Sequence, residues 1–216
     1  MSIEGASAPP RKRLSAAERR EVIERAATEV FATSGYHGAS IDEIARRSGV
    51  TPPVVYDHFD SKLELHRRLL ERTRDELLAM WREHIEREGS AEERLVGAMR
   101  AWAEYVETHR YAARMFFQDS TGDAQARAIH REVQDQARVA LGAILGREPG
   151  AEYIAGSAEA EALEMAAEVI RAGLTGLAIW WDEHPHVPRE LIVVVAVNAL
   201  WMGFERVRRG DIWRPA

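Results

Sequence analysis

The sequence predicts an all-α protein: an N-terminal three-helix head built around a helix-turn-helix, followed by a helical bundle. Two observations lead there. Apolar residues recur at intervals of three and four along almost all of the 216 residues, the spacing that gives a helix one buried face. A serine followed three positions later by glutamate, a helix-start signature, occurs at Ser15–Glu18, Ser40–Glu43, Ser61–Glu64 and Ser90–Glu93.

Composition narrows the class. The chain is 46% apolar and 30% charged, ordinary for a globular protein with a sizeable core. It has no cysteine, which excludes disulfides, thiolate metal sites and a cysteine nucleophile. The N-terminus lacks the apolar segment of a signal peptide. The longest apolar run, Leu191 to Val197, is too short to span a bilayer. A soluble, cytoplasmic protein is expected. The net charge of −6 is uneven: residues 1–62 hold nine Lys/Arg and nine Asp/Glu, and the remainder holds 20 against 26. A neutral head before an acidic body argues against broad electrostatic wrapping of a polyanion, and permits a few well-placed cations.

In chain order, residues 1–14, with the basic cluster Arg11, Lys12 and Arg13, read as a disordered arm. Ser15 with Glu18 opens a helix whose inward face holds Val22, Ile23, Ala26, Ala27, Val30 and Phe31, and Gly35 ends it in a left-handed conformation. Ser40 with Glu43 opens a short helix that turns Ile41, Ile44 and Ala45 inward and Arg46 and Arg47 outward; Gly49 ends it. Thr51 is expected to cap a third helix with Pro52 and Pro53 in its first turn, where a missing N–H costs nothing. Ser61 with Glu64 launches a long helix to about residue 88. Further helices are expected from Ser90 and over 109–119, 123–146, 158–183 and 188–209, with a loop at 146–157. The β-branched run in the last segment could be a buried strand. A helix is favoured, because Pro188 and Glu190 suit its start, Arg206, Arg208 and Arg209 suit its end, and nothing else reads as a partner strand.

The stretch SIDEIARRSGVTPPVVYDHFDSK, residues 40–62, places two short helices around the turn Ser48–Gly49–Val50. In a helix-turn-helix the second helix enters the major groove by its N-terminus. That end would present Thr51, Pro52, Pro53 and Val54, then Tyr56, Asp57 and His58. Ser40 and Thr51 offer hydroxyls to phosphate oxygens, the Tyr56 hydroxyl can donate to another, and Lys62 supplies a cation. Pro52, Pro53 and Val54 suit thymine methyls, and His58 can donate to a base or a phosphate.

The S-I-x-E-I-A segment, the S-G-V-T turn and the Y-x-H-F-x-S-K ending resemble the head of the tetracycline-repressor (TetR) family over residues 15–66. The resemblance implies that Thr51 to His58 lie on the recognition helix and that Ser40, Tyr56 and Lys62 contact phosphate. It also implies a homodimer on a palindromic double-stranded DNA operator, a ligand pocket in a variable helical body, and repression relieved by a small molecule. Three departures bear on the operator sequence: Pro53 stands where many members have glycine, Val54 replaces the common threonine, and Asp57 brings a negative charge towards DNA.

On this division residues 15–62 are the DNA-binding domain and 63–216 the sensing and dimerisation domain. The helices at 158–183 and 188–209 are the expected dimer surface, since Leu191–Trp201 is apolar on several faces and Gly173 and Gly176 allow close approach. Trp81, Met99, Trp102, Met115, Phe116 and Trp180 would suit the walls of a pocket for an apolar or aromatic effector, with His84, Tyr105 and Gln118 as polar contacts. Taken singly, each is more often core than pocket wall. The helix from Ser61 would act as the lever between body and DNA. No cofactor or metal is expected: His184-Pro-His186 sits at a proline turn rather than at helical ligand spacing. An enzyme lacks any nucleophile elbow or cofactor fingerprint here. A ligand carrier or adaptor remains the third class, separable by whether the chain has DNA affinity at all.

Overall fold

The structure, a computed structural model, describes residues 14–118, 122–147 and 159–209. Among these it contains nine helices and no strand: α1 Ala16–Gly38, α2 Ile41–Ser48, α3 Pro52–Tyr56, α4 Lys62–Ile85, α5 Ala91–Thr108, α6 Arg110–Phe117, α7 Ala124–Leu145, α8 Glu159–Glu183 and α9 Arg189–Arg208. The basic cluster at 11–13, the loop from 148 onward and Gly210 lie outside the described residues. The helical choice for the β-branched run at 191–197 holds, with Leu191 N–H bonded to Pro188 O at 3.0 Å in the first turn of α9.

In α1 the capping box is complete: the Ser15 hydroxyl accepts from Glu18 N–H and the Glu18 carboxylate accepts from Ser15 N–H. Gly35 takes φ 65° and kinks the chain, a conformation costly for any residue with a Cβ. The kink folds Tyr36 back onto Phe31, the rings stacking at 6.0 Å. Two of the expected boxes are only half formed. Ser40 and Ser61 accept from the Glu43 and Glu64 amides, but Glu43 turns instead to Arg46 and Arg47, and one Glu64 carboxylate oxygen is buried without a hydrogen-bond partner. Arginine is the stronger draw at Glu43 because both ends of that bond are charged.

One apolar core runs from head to body. Ile23, Phe31, Ile44, Val55 and Phe59 fill the head; Leu65, Leu69 and Leu70 on α4 carry the core onward; Trp81, Met99, Trp102, Met115, Phe116 and Val133 fill the body. Helix α4 packs on α1, α5, α6 and α7, α6 also packs on α1, and α8 and α9 lie outermost against α7 and α5. A buried carboxylate fixes α1 to α4: Glu24 accepts from Arg68 at 2.5 Å and Arg72 at 3.0 Å. Burial opposes its charge, yet the two guanidinium bonds hold its carboxyl below the ordinary range.

Candidate functional site

The helix-turn-helix is assembled by local rules. Gly49 adopts the left-handed conformation, φ 69° and ψ 27°, so its N–H reaches back to the end of α2. Val50 packs against the core beside it. Val55 and Phe59 are fully buried and pin α3 to the head. Pinning them turns the opposite face outward: Thr51, Pro53, Tyr56 and Asp57 are exposed, and Pro52, Val54 and His58 are half-buried. Ser40 is exposed at the start of α2.

Three details differ from the sequence expectation. Helix α3 is a single short turn ending at Tyr56, so Asp57 and His58 stand in the following turn rather than on the recognition helix; His58 N–H closes that turn on Val55 O at 3.1 Å. Second, the Thr51 side chain makes no capping bond. Pro53 has no N–H to offer, and Val54 N–H is already bonded to Thr51 O at 3.0 Å, so the hydroxyl keeps both of its hydrogen-bonding roles for an outside partner. Third, Lys62 turns inward. Its ammonium donates to Tyr36 O and Ala39 O, both at 3.0 Å, and sits 4.3 Å from the Tyr36 ring centre. Lys62 thus clips the chain end of α1 to the start of α4, which leaves one of its three N–H donors for a phosphate.

The exposed cations of the turn are Arg46 and Arg47, both gathered by Glu43. Their hydrogen bonds hold the Glu43 carboxyl down to about 2. The sequence placed both arginines outward but did not add them to the interface; their position on α2 was the available signal.

In the body, the residues expected around a pocket are dispersed. Trp81, Met99, Trp102, Met115 and Phe116 are buried in the continuous core. Tyr105 donates to Glu76 at 2.7 Å, and burial first, then that bond, pushes its hydroxyl well above the ordinary range. His84 Nδ1 donates to Met80 O. Trp180 faces outward and stacks on His184 at 4.0 Å. A cavity of about 150 Å³ lies elsewhere, between α5, α6, the end of α8 and the turn before α9. Of the nine expected residues only Gln118 lines it; its other walls include Val106, Phe117, Ile179 and Trp181, with Arg110, Arg114 and Asp182 as charged members. No local pattern in the sequence marks these residues, because the walls from α5 and α6 meet those from α8 and the turn after it only through the fold.

A pair of exposed apolar stripes completes the surface. On α8, Met165, Val169, Gly173, Gly176 and Trp180 share one face at helical spacing, and on α9, Leu191, Val194, Val195 and Asn198 do the same. Beyond the backbone of α8 itself, nothing lies within 4 Å of where a Cβ would stand on Gly173 or Gly176. Among the described residues no group of three or more His, Asp or Glu side chains could hold a metal ion, and no helix is long and apolar enough to cross a membrane.

A short helix pinned by its buried face behind a left-handed glycine, with hydroxyl-bearing residues turned outward, defines a helix-turn-helix DNA-binding protein. Comparison with known proteins makes the class specific. Residues 23–69 match the family described as "Bacterial regulatory proteins, tetR family". Over 201 residues the chain is 30% identical to the HTH-type transcriptional activator FasR of Mycolicibacterium smegmatis, covering 90% of this chain and 87% of that protein. The fold is similar to that of the fatty acid degradation regulator FadR from Bacillus halodurans (TM-score 0.70, 18% identity, 84% of this chain and 97% of that one). It is also similar to FadR from Bacillus subtilis in complex with stearoyl-CoA (TM-score 0.68, 19% identity, 88% and 98%). The chain belongs to the tetR family: it is a DNA-binding transcriptional regulator rather than an enzyme.

Proposed function

We propose that the protein is a cytoplasmic, homodimeric regulator that binds a palindromic operator through residues 15–62 and senses a small molecule through residues 63–216. The observation that carries this is the outward face of α2 and α3: Ser40, Thr51 and Tyr56 offer hydroxyls to phosphate, Pro52, Pro53 and Val54 offer apolar contact to thymine methyls, Asp57 and His58 flank them, and Lys62 keeps one free donor beside them. Tyr56 is 53% exposed, an arrangement a merely structural tyrosine does not need. The stripes on α8 and α9 support dimerisation, since apolar faces of that length find partners in symmetric oligomers. Two heads must then meet half-sites about 34–36 Å apart.

The cavity under α6 supports sensing. Helix α6 touches it on one side and packs on α1 of the head and on α4 on the other. A ligand that favours a different α6 position therefore biases the head spacing, with α4 as lever. It does so only if it binds the two arrangements unequally. The solved relative from Bacillus subtilis holds stearoyl-CoA; a cavity of about 150 Å³ suits a far more compact apolar or aromatic effector. Repression relieved by this effector is the expected output. The relative named as an activator favours activation as a second reading, the sign depending on where the operator lies relative to the promoter.

Genomic footprinting of the full chain, followed by fluorescence anisotropy on the operator found, tests the assignment. Tyr56→Ala should weaken operator binding about tenfold, roughly 1.4 kcal/mol, and leave the dimer intact. Unchanged affinity, or a footprint without two-fold symmetry, overturns it.

A further inference from the structure

The charged members of the cavity wall, two acids and two arginines, are out of balance in their pairing. Arg110 and Arg114 stand one helical turn apart on α6, and both face Asp182 at the end of α8, with N–O distances of 3.6 and 2.8 Å. Glu107, the other acid on the wall, is paired with Arg189 at 3.1 Å. Among the described residues, then, a single carboxylate serves two guanidinium groups.

The placement adds to the imbalance. Like charges at i and i+4 repel. Arg110 occupies the first position of α6, the positive end of that helix, and Asp182 occupies the last turn of α8, the negative end of that one. Arg110 and Asp182 thus each stand at the unfavourable end of their own helix, whereas Arg114, in the last turn of α6, stands at the favourable one. The fit is also imperfect: Arg114 Nε is buried with no hydrogen-bond partner, and Asp182 Oδ2, although close to Arg114, is not aligned as an acceptor. A buried donor without a partner is costly and is satisfied by an incoming acceptor.

Beside these charges lies apolar surface from Val106, Ala113, Phe117, Ala178, Ile179 and Trp181. The cavity of about 150 Å³ has the size that admits one benzene-sized group. We propose that this cavity takes a compact carboxylate, a single aromatic ring or short branched chain bearing one acid group, whose anionic head replaces Asp182 against Arg110 and Arg114. The proposal rests on the sensing role above and names the chemical class sensed there. Asp182 is an internal stand-in for the ligand's head. Two guanidinium forks match a carboxylate better than one misaligned aspartate does, because each can donate two parallel bonds. A neutral molecule of the same shape leaves the charge imbalance in place.

Isothermal titration of the full chain compares benzoate with benzyl alcohol, and 3-methylbutanoate with 3-methylbutan-1-ol, and the same probes are then added to the protein–operator complex. The carboxylates should bind at least tenfold tighter than their neutral counterparts. Arg114→Gln should abolish that preference, and Asp182→Asn should tighten benzoate binding at least tenfold. The wild-type comparison of acid with alcohol needs no variant, so a misfolded substitution does not decide the matter. If benzyl alcohol binds as tightly as benzoate, or if neither binds, the carboxylate assignment is overturned. If benzyl alcohol alone binds and changes operator affinity, sensing survives and the ligand class falls. If benzoate binds through Arg114 without changing operator affinity, the carboxylate site stands and the sensing role falls.

Discussion

In the head, the residues proposed to meet DNA are turned outward: Thr51, Pro53 and Tyr56 are exposed, while Val55 and Phe59 beneath them are buried. In the body, the side chains that look most like a binding site in the sequence are turned inward: Met99 and Trp102 are buried to 1% exposure or less and belong to the core. The candidate contact residues therefore face opposite ways in the two regions. A head that meets a large external partner needs a rigid underside and a free upper face. In the body the large aromatics supply continuous packing rather than a pocket wall, as the proposed transmission from cavity to head requires.

The contrast breaks most readily at Trp102. As a core side chain, truncation to alanine removes its transfer free energy and leaves a cavity, so Trp102→Ala should cost about 3–5 kcal/mol in urea unfolding. If Trp102 instead lined a ligand site, the variant would keep most of its stability and change its effector response. That result would place a second pocket in the middle of the body and undo the distinction between the regions.

The two regions also differ in how much of each is legible from the chain alone. The head is written in short-range signals. The left-handed Gly49, the first-turn prolines and the serine caps act within a few residues, so turn, helix starts and outward face follow from local stereochemistry. What local rules missed there depends on distant partners: Lys62 looked free until Tyr36 and Ala39, more than 20 positions earlier, supplied two carbonyls. In the body the helices were legible from periodicity, but the cavity was not. Nothing local in the sequence singles out Arg110, Arg114 or Asp182; only tertiary packing brings them together.

Between the regions sits a group that belongs to both. His66 on α4 is buried among Phe31, Tyr36, Lys62 and His130, its ring 4.9 Å from that of Phe31, and its Nδ1 has no hydrogen-bond partner. Burial first, then the electrostatic influence of His130 and Lys62, pushes its pKa down to about 4. The folded protein thus keeps His66 neutral where the unfolded chain would protonate it. Stability is fully present above about pH 6.5 and falls as the pH drops from there towards 4, by about 3 kcal/mol in all. Urea midpoints across this range should decline for the wild type and flatten for His66→Gln. A wild-type profile with no decline would mean that the head–body junction opens enough for water to solvate the imidazolium. The continuous core between the two regions would then be looser than its packing implies.

The smallest effect probes the head alone. A threonine at a helix N-cap ordinarily contributes about 1 kcal/mol through its side-chain oxygen. At Thr51 that bond is absent, because the proline at the second helical position has no N–H and the next amide already serves the Thr51 carbonyl. Thr51→Val keeps the shape and removes only the hydroxyl, so unfolding free energy should move by less than about 0.5 kcal/mol. Operator affinity should fall by a factor of about three to ten, the loss of one phosphate hydrogen bond. If stability drops by about 1 kcal/mol with operator affinity intact, the hydroxyl is a cap after all. The outward face of the head would then be structural at the residue where it reads most plainly as functional.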